Sequence, residues 1–163
     1  MAAARSLFLV RRFPRFRVGL VPVRGLAEGE DVSSFPLRFS SPSQAFFDNT
    51  RVVQVDVPAT SGNFGILPKH VPSLAVLRPG VVTVYEGDKN SKYFVSSGTV
   101  TVLDDASVQI VAEEAAHIEN LDIQAARSGL EQAQQQLTSA SEETKAEAMV
   151  AVELYEAILK ALE

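Results

Sequence analysis

Two hydrophobic periods divide the chain. From Phe35 onward apolar and polar residues alternate in short runs. In Arg51-Val52-Val53-Gln54-Val55-Asp56-Val57, period two puts Val53, Val55 and Val57 on one face and Gln54 and Asp56 on the other. Val100 and Val102 alternate with Thr99 and Thr101, and Val108, Ile110 and Ala112 alternate with Gln109 and Val111. Turn-forming residues punctuate these runs at Asp48-Asn49, Gly62, Gly87-Asp88-Lys89-Asn90, Ser97-Gly98 and Asp104-Asp105. The spacing is short and no helical pattern intervenes. It predicts antiparallel strands folded into a sandwich rather than βαβ units. Pro58, Pro68, Pro72 and Pro79 are expected at strand ends, because proline cannot donate to a sheet ladder.

The period changes after about Asn120. Ile123, Ala126, Leu130, Ala133 and Leu137 recur at steps of 3, 4, 3 and 4, which is one narrow stripe of an α-helix. Asp122 is placed to cap its start. Thr138-Ser139-Ala140-Ser141 interrupts the stripe; Ser139 with Glu142 fits a capping box for a second helix, and Ser141 is an alternative cap. In that helix Ala146, Val150, Leu154, Ala157, Ile158 and Ala161 share a face. The pattern predicts an antiparallel helical hairpin. Met149, Val152, Tyr155 and Leu159 lie on roughly the opposite side, where they either pack on the sandwich or dock a separate protein.

Composition narrows the function. Of 163 residues, 46% are hydrophobic and 21% charged, as in a globular protein. Cysteine is absent, which excludes disulfides and thiolate metal sites. The formal charge of -5 is unevenly spread: residues 1–27 hold six arginines (Arg5, Arg11, Arg12, Arg15, Arg17, Arg24) and no acid. The other nine basic residues, of 15, face all 20 acids. Leu7, Phe8, Val10, Phe13 and Phe16 interleave with the arginines, the composition of a mitochondrial transit peptide. A secretory signal needs an unbroken apolar core, which Arg11, Arg12, Arg15 and Arg17 interrupt. A nucleic-acid-binding arm is disfavoured because the acidic remainder repels phosphate. Arg24-Gly25-Leu26 resembles a matrix-protease site, so cleavage is expected after Leu26. The expected organisation is a transit peptide at 1–26, a linker at 27–34, a β-sandwich at 35–119 and a helical hairpin at 120–163.

Candidate chemistry is sparse. His70 and His117 are far apart, and neither has a His, Cys or acid at ligand spacing on a helix. Glu113 and Glu114 near His117 fit a solvated turn better than a metal site. Gly62 to Gly65 would suit a small anion nest, but no nucleotide-loop lysine or threonine accompanies it. No nucleophile has a partner base, and neither a cofactor nor a metal is expected. The unusual stretch is Gly62-Asn63-Phe64-Gly65-Ile66-Leu67-Pro68-Lys69-His70-Val71-Pro72. Its glycines and prolines mark a rigid loop carrying large apolar groups. Phe64 and Ile66 either tuck into the core at a corner or are held against a partner.

The run from Val53 to Pro72 resembles the signature of the rotor-stalk subunit of F-type ATP synthases, called delta in mitochondria and epsilon in bacteria. The likeness continues through Leu77-Arg78-Pro79-Gly80-Val81-Val82 and Lys92-Tyr93-Phe94-Val95-Ser96-Ser97-Gly98 to a hairpin opening at Leu121-Asp122. The resemblance implies a β-sandwich followed by a helical hairpin. It implies a matrix-side, peripheral component of the inner-membrane complex, which couples rotation to ATP synthesis without catalytic residues of its own. The implied partners are the gamma subunit, the small mitochondrial epsilon subunit and the ring of c subunits. Asn63 and His70 fall where ring contacts are expected, with Gly62, Phe64, Gly65 and Ile66 shaping the loop. The Met149, Val152, Tyr155 and Leu159 stripe is a candidate seat for the small epsilon subunit or for the sandwich.

One departure bears on regulation. Bacterial relatives often carry Asp-x-x-Arg-Ala at the hairpin start, linked to ATP binding; here Ala125 stands where arginine would, and Arg127 follows two positions later. From Asn120 onward, three basic residues face eight acids, which poorly suits an inhibitory contact with an acidic partner. The expected hairpin is therefore one that stays down. The competing readings are a free-standing matrix binding protein or chaperone on the same scaffold and, more remotely, an enzyme using His70.

Overall fold

A computed structural model of the chain describes residues 33–163; the expected transit peptide and most of the linker lie outside them. Ten strands come first: β1 (Phe35–Ser40), β2 (Ala45–Val52), β3 (Gln54–Ala59), β4 (Gly62–Ile66), β5 (Ser73–Leu77), β6 (Gly80–Glu86), β7 (Lys89–Val95), β8 (Gly98–Val102), β9 (Val108–Ala112) and β10 (Ala115–His117). A single 3-10 turn, Ile118–Asn120, leads to α1 (Ile123–Ser139) and α2 (Glu142–Leu162). The order along the sheet is β10-β7-β6-β3-β5-β8-β9-β1-β2, with β4 paired to β3 beside this path. The sheet folds over on itself: Phe47 of β2 meets Tyr93 of β7 edge-on at 5.7 Å between ring centres. The sandwich-plus-hairpin architecture follows the two hydrophobic periods.

Side chains from both layers fill the middle. Phe35, Leu37, Phe39, Val52, Val55, Val57, Ile66, Val82, Val84, Val100 and Ile110 are almost wholly removed from water. Full burial of such side chains is worth roughly 1.5–3 kcal/mol each. Phe39 stacks on Phe46 at 4.8 Å and meets Tyr93 edge-on at 5.3 Å, tying β1, β2 and β7 together.

Several local expectations fail for identifiable reasons. Val53 does not share a face with Val55 and Val57; it sits between β2 and β3 and is exposed, while Val52 is buried. The chain bends there, which shifts the alternation by one residue. Asp48-Asn49 is not a turn between strands but lies inside β2. The pairing slips between Leu37↔Thr50 and Phe39↔Phe47, and Asn49 has φ 57°. This is a β-bulge, for which asparagine tolerates the left-handed conformation as it would in a turn. All strand pairings among the described residues are antiparallel except β1 with β9, which is parallel. Pro58 lies within β3 rather than at its end. It is tolerated in the β3–β4 ladder because its backbone faces away from β4, its carbonyl accepting from Arg78 N–H at 2.9 Å, so the pair Pro58↔Asn63 needs no donor from it. Gly62–Ile66, expected in a loop, forms β4 and pairs with β3.

Gly98 shows what one position can demand. Its φ is 155°, and an added Cβ would collide with the Val111 carbonyl oxygen and approach Ala112 Cα at 2.8 Å. Only glycine lets β8 start this close to β9.

The hairpin is more lightly built. The Asp122 carboxylate accepts from Gln124 N–H at 2.7 Å and Ala125 N–H at 3.3 Å, the cap its sequence position implies. Ser139 is not a cap: it ends α1, and its hydroxyl donates back to the Gln135 carbonyl at 3.0 Å. Ser141 occupies the cap position of α2 without a side-chain capping bond. Ala126, Ala133 and Ala148 are the buried hydrophobic residues of the two helices among the described residues. Val150, expected in the seam, is instead 63% exposed. The seam runs through Ala148 and Tyr155, whose ring lies where a Cβ on Gly129 of α1 would stand.

Candidate docking surfaces

The β3–β4 corner is built from a two-residue turn, Thr60-Ser61, with Gly62 at φ 129° leading into β4. Asn63 is exposed, and its side-chain oxygen accepts from the Arg78 guanidinium at 3.1 Å, which ties β4 to the segment between β5 and β6. Phe64 is half-buried against the core, and its ring stacks near His70 at 6.1 Å. Ile66 is fully buried, so it anchors the strand rather than presenting a contact. His70 is half-buried and its Nδ1 lies 2.8 Å from the Val71 carbonyl oxygen, an arrangement in which Nδ1–H donates and Nε2 is left for another partner. The structure thus brings Phe64 and His70 together, whereas the Asn63 side chain, on the other face of β4, is held by Arg78.

Beside this corner lies a polar row across the outer face of the first layer. Gly65 pairs with Asp56, Asp56 with Thr83, and Thr83 with Lys92. The Asp56 carboxylate accepts from Gln54 Nε2 at 2.7 Å and from the Tyr85 hydroxyl at 3.1 Å. That bond, reinforced by the carboxylate's charge and some loss of solvent, pushes the Tyr85 phenol above its ordinary value. A groove of about 610 Å³ separates this row from Lys160, Ala161 and Glu163 at the end of α2.

The second layer carries a surface that the sequence pattern did not single out. Leu74 and Val76 of β5 and Val111 of β9 are 71%, 54% and 54% exposed. The pairs Val76↔Thr99 and Thr99↔Val111 put them on one face, with Leu67 and Val71 exposed in the adjoining loop. The signal was present in Ser73-Leu74-Ala75-Val76-Leu77, a strand apolar on both faces. Here its inner face is covered through Leu77, while Leu74 and Val76 leave the outer face exposed.

On the hairpin, Met149 is 56% exposed while Val152 and Leu159 are half-buried, and Tyr155 packs against α1. The four residues therefore do not form one open stripe. Met149, Val150 and Val152 instead line a groove of about 520 Å³ with Leu137, Ala146, Glu153 and Glu156. Among the described residues no cluster of His, Asp and Glu is arranged to hold a metal ion, and no helix is long and apolar enough to cross a membrane.

A ten-stranded sandwich followed by a helical hairpin defines the architectural class, and comparison with known proteins specifies the family. Residues 34–118 match the family model "ATP synthase, Delta/Epsilon chain, beta-sandwich domain". Residues 121–161 match "Metazoan delta subunit of F1F0-ATP synthase, C-terminal domain". A Caenorhabditis elegans protein named ATP synthase subunit delta, mitochondrial, is 42% identical over 159 residues, covering 94% of this chain and 96% of its own length. A Kluyveromyces lactis protein of the same name is 42% identical over 143 residues, covering 88% and 89%. A chain in the cryo-EM structure of Euglena gracilis mitochondrial ATP synthase (OSCP/F1/c-ring, rotational state 1) superposes with TM-score 0.76 at 26% identity, covering 96% of this chain and 100% of that one. The chain belongs to the delta/epsilon family of ATP synthase subunits. It is a mitochondrial, non-catalytic member of that family.

Proposed function

We propose that this chain is a central-stalk subunit that couples rotation of the c-ring to the catalytic head during ATP synthesis, bound to the gamma and small epsilon subunits. The observation that carries the reading is the open apolar face of Leu74, Val76 and Val111 on an otherwise close-packed sandwich. A face of that kind needs a protein partner, and gamma is the partner assigned to it. Asn63 of β4 and His70 of the following loop face the ring, and the Met149, Val150 and Val152 groove receives the small epsilon subunit. The matched family and the Euglena assembly containing F1 and the c-ring support this assignment. Residues 1–26 are a transit peptide, removed before the subunit joins the complex on the matrix side of the inner membrane.

The coupling role is mechanical. A close-packed sandwich deforms little under load. Broad contacts with buried anchors transmit that load better than exposed ion pairs worth about 0–1 kcal/mol each. The natural lack of cysteine makes the test direct. Asn63→Cys in the assembled synthase is expected to cross-link to a ring subunit and, because stalk and ring turn together, to leave ATP synthesis intact. Cross-linking to a stationary subunit, or to none, would overturn the proposed seat.

A further inference from the structure

The sheet has edges, and they are not equally protected. β2 carries a bulge at Asn49 and an ion pair between Arg38 and Asp48 at 3.4 Å, and β10 is three residues long. Bulges, charges and shortness each block unwanted strand pairing. β4 has none of these devices. It is five residues, Gly62-Asn63-Phe64-Gly65-Ile66, without charge or proline, and among the described residues it pairs with β3 alone.

Pro58 reveals which groups face outward. Lacking N–H, and with its carbonyl turned to Arg78, Pro58 makes no ladder bond to its neighbour Asn63. Pairs alternate in an antiparallel ladder. The Phe64 and Ile66 backbone groups therefore bond to β3, whereas the N–H and C=O of Asn63 and Gly65 point to the free edge.

We infer that the β4 edge takes an extended segment of a partner protein as an added strand, with a lysine or arginine opposite Gly65. The added residue extends the cross-strand row of Gly65, Asp56, Thr83 and Lys92 by one position. Strands lie about 4.8 Å apart, so that residue stands two strands from Asp56. A long cationic side chain spans the distance only if the intervening position is empty. Gly65 supplies that opening: a Cβ there would stand 2.8 Å from Asp56 Oδ1. The Asp56 carboxylate keeps acceptor capacity beyond its bonds to Gln54 and Tyr85. The adjoining groove of about 610 Å³ gives the cation room. Backbone bonds would supply affinity, and the cation at Asp56 would fix the register.

This inference rests on the stalk reading, because the partner is taken to be another synthase subunit. The test is hydrogen exchange at single amides in the full chain and in the purified synthase. In the free chain, Asn63 and Gly65 are expected to exchange at least about 100-fold faster than Phe64 and Ile66, since only the latter pair is bonded to β3. In the synthase both edge amides should slow at least about tenfold. Asp56→Asn should reduce that protection while leaving Phe64 and Ile66 slow. Fast exchange at Asn63 and Gly65 within a synthase that contains the chain would overturn the added strand. Concentration-dependent protection in the free chain would assign the edge to a second copy and overturn it too. Protection unaffected by Asp56→Asn would overturn the cation. Absence of the chain from the purified synthase would instead overturn the stalk reading, and this partner with it.

Discussion

The sandwich buries Phe35, Leu37, Phe39 and Ile110 between two layers, while among the described residues the buried hydrophobic residues of the hairpin are three alanines. Alanine removes little apolar surface from water, so the helices hold together through close approach rather than through a large core. Where the sandwich supplies its own stability, the hairpin leaves Met149 and Val150 open and depends more on what covers it. A rigid body and a lightly held arm are different mechanical parts, and the contrast is open to mutation.

The largest effect belongs in the sandwich. Phe39→Ala should destabilise by about 3–5 kcal/mol, because it empties the centre of an aromatic cluster. Leu137→Ala, half-buried in α1, should cost only about 1 kcal/mol. Denaturant unfolding of both variants checks the contrast, and equal losses would break it. Gly129→Ala comes next. Alanine normally gains about 1 kcal/mol over glycine inside a helix, but here the new methyl meets the Tyr155 ring. A net loss of about 1–2 kcal/mol is expected, confined to hairpin amides in hydrogen exchange. Combining it with Tyr155→Val should restore helicity. Asp122→Ala should cost about 1 kcal/mol by removing two capping bonds from α1, visible as fraying of its first turn.

The smallest effect concerns pH. The Asp105 carboxylate accepts from the Ser107 hydroxyl at 2.6 Å and the Ser107 N–H at 2.9 Å, and these bonds hold its carboxyl below the ordinary 3.8. A lowered folded value means that the contribution is fully present above pH 3.8 and is lost as pH falls through the lower folded value. Asp105→Asn should flatten the acid limb of the stability curve slightly in that window.

Much of the architecture was legible because its signals are local. Alternation in Val108–Ala112, the 3-4 stripe from Ile123 and the Asp122 cap each act within a few residues. What escaped depends on distant neighbours. The bend at Val53 and the bulge at Asn49 arise from how β1, β2 and β3 fit together. The assignment of Val150 to the seam failed because the Gly129–Tyr155 contact sets the rotation of α2. Gly62–Ile66 has the composition of a loop, yet β3 recruits it as a strand. At the candidate site, Asn63 and His70 stood out as a glycine- and proline-framed pair, but the Arg78 bond to Asn63 spans 15 residues and has no sequence signature. The open face of Leu74, Val76 and Val111 depends on strand order, which periodicity does not specify.

The coupling role is tested most directly by measuring ADP phosphorylation in mitochondria depleted of this chain. Loss of proton-driven synthesis is expected, with ATP hydrolysis retained by the detached catalytic head. Phosphorylation at full yield without the chain would contradict the account.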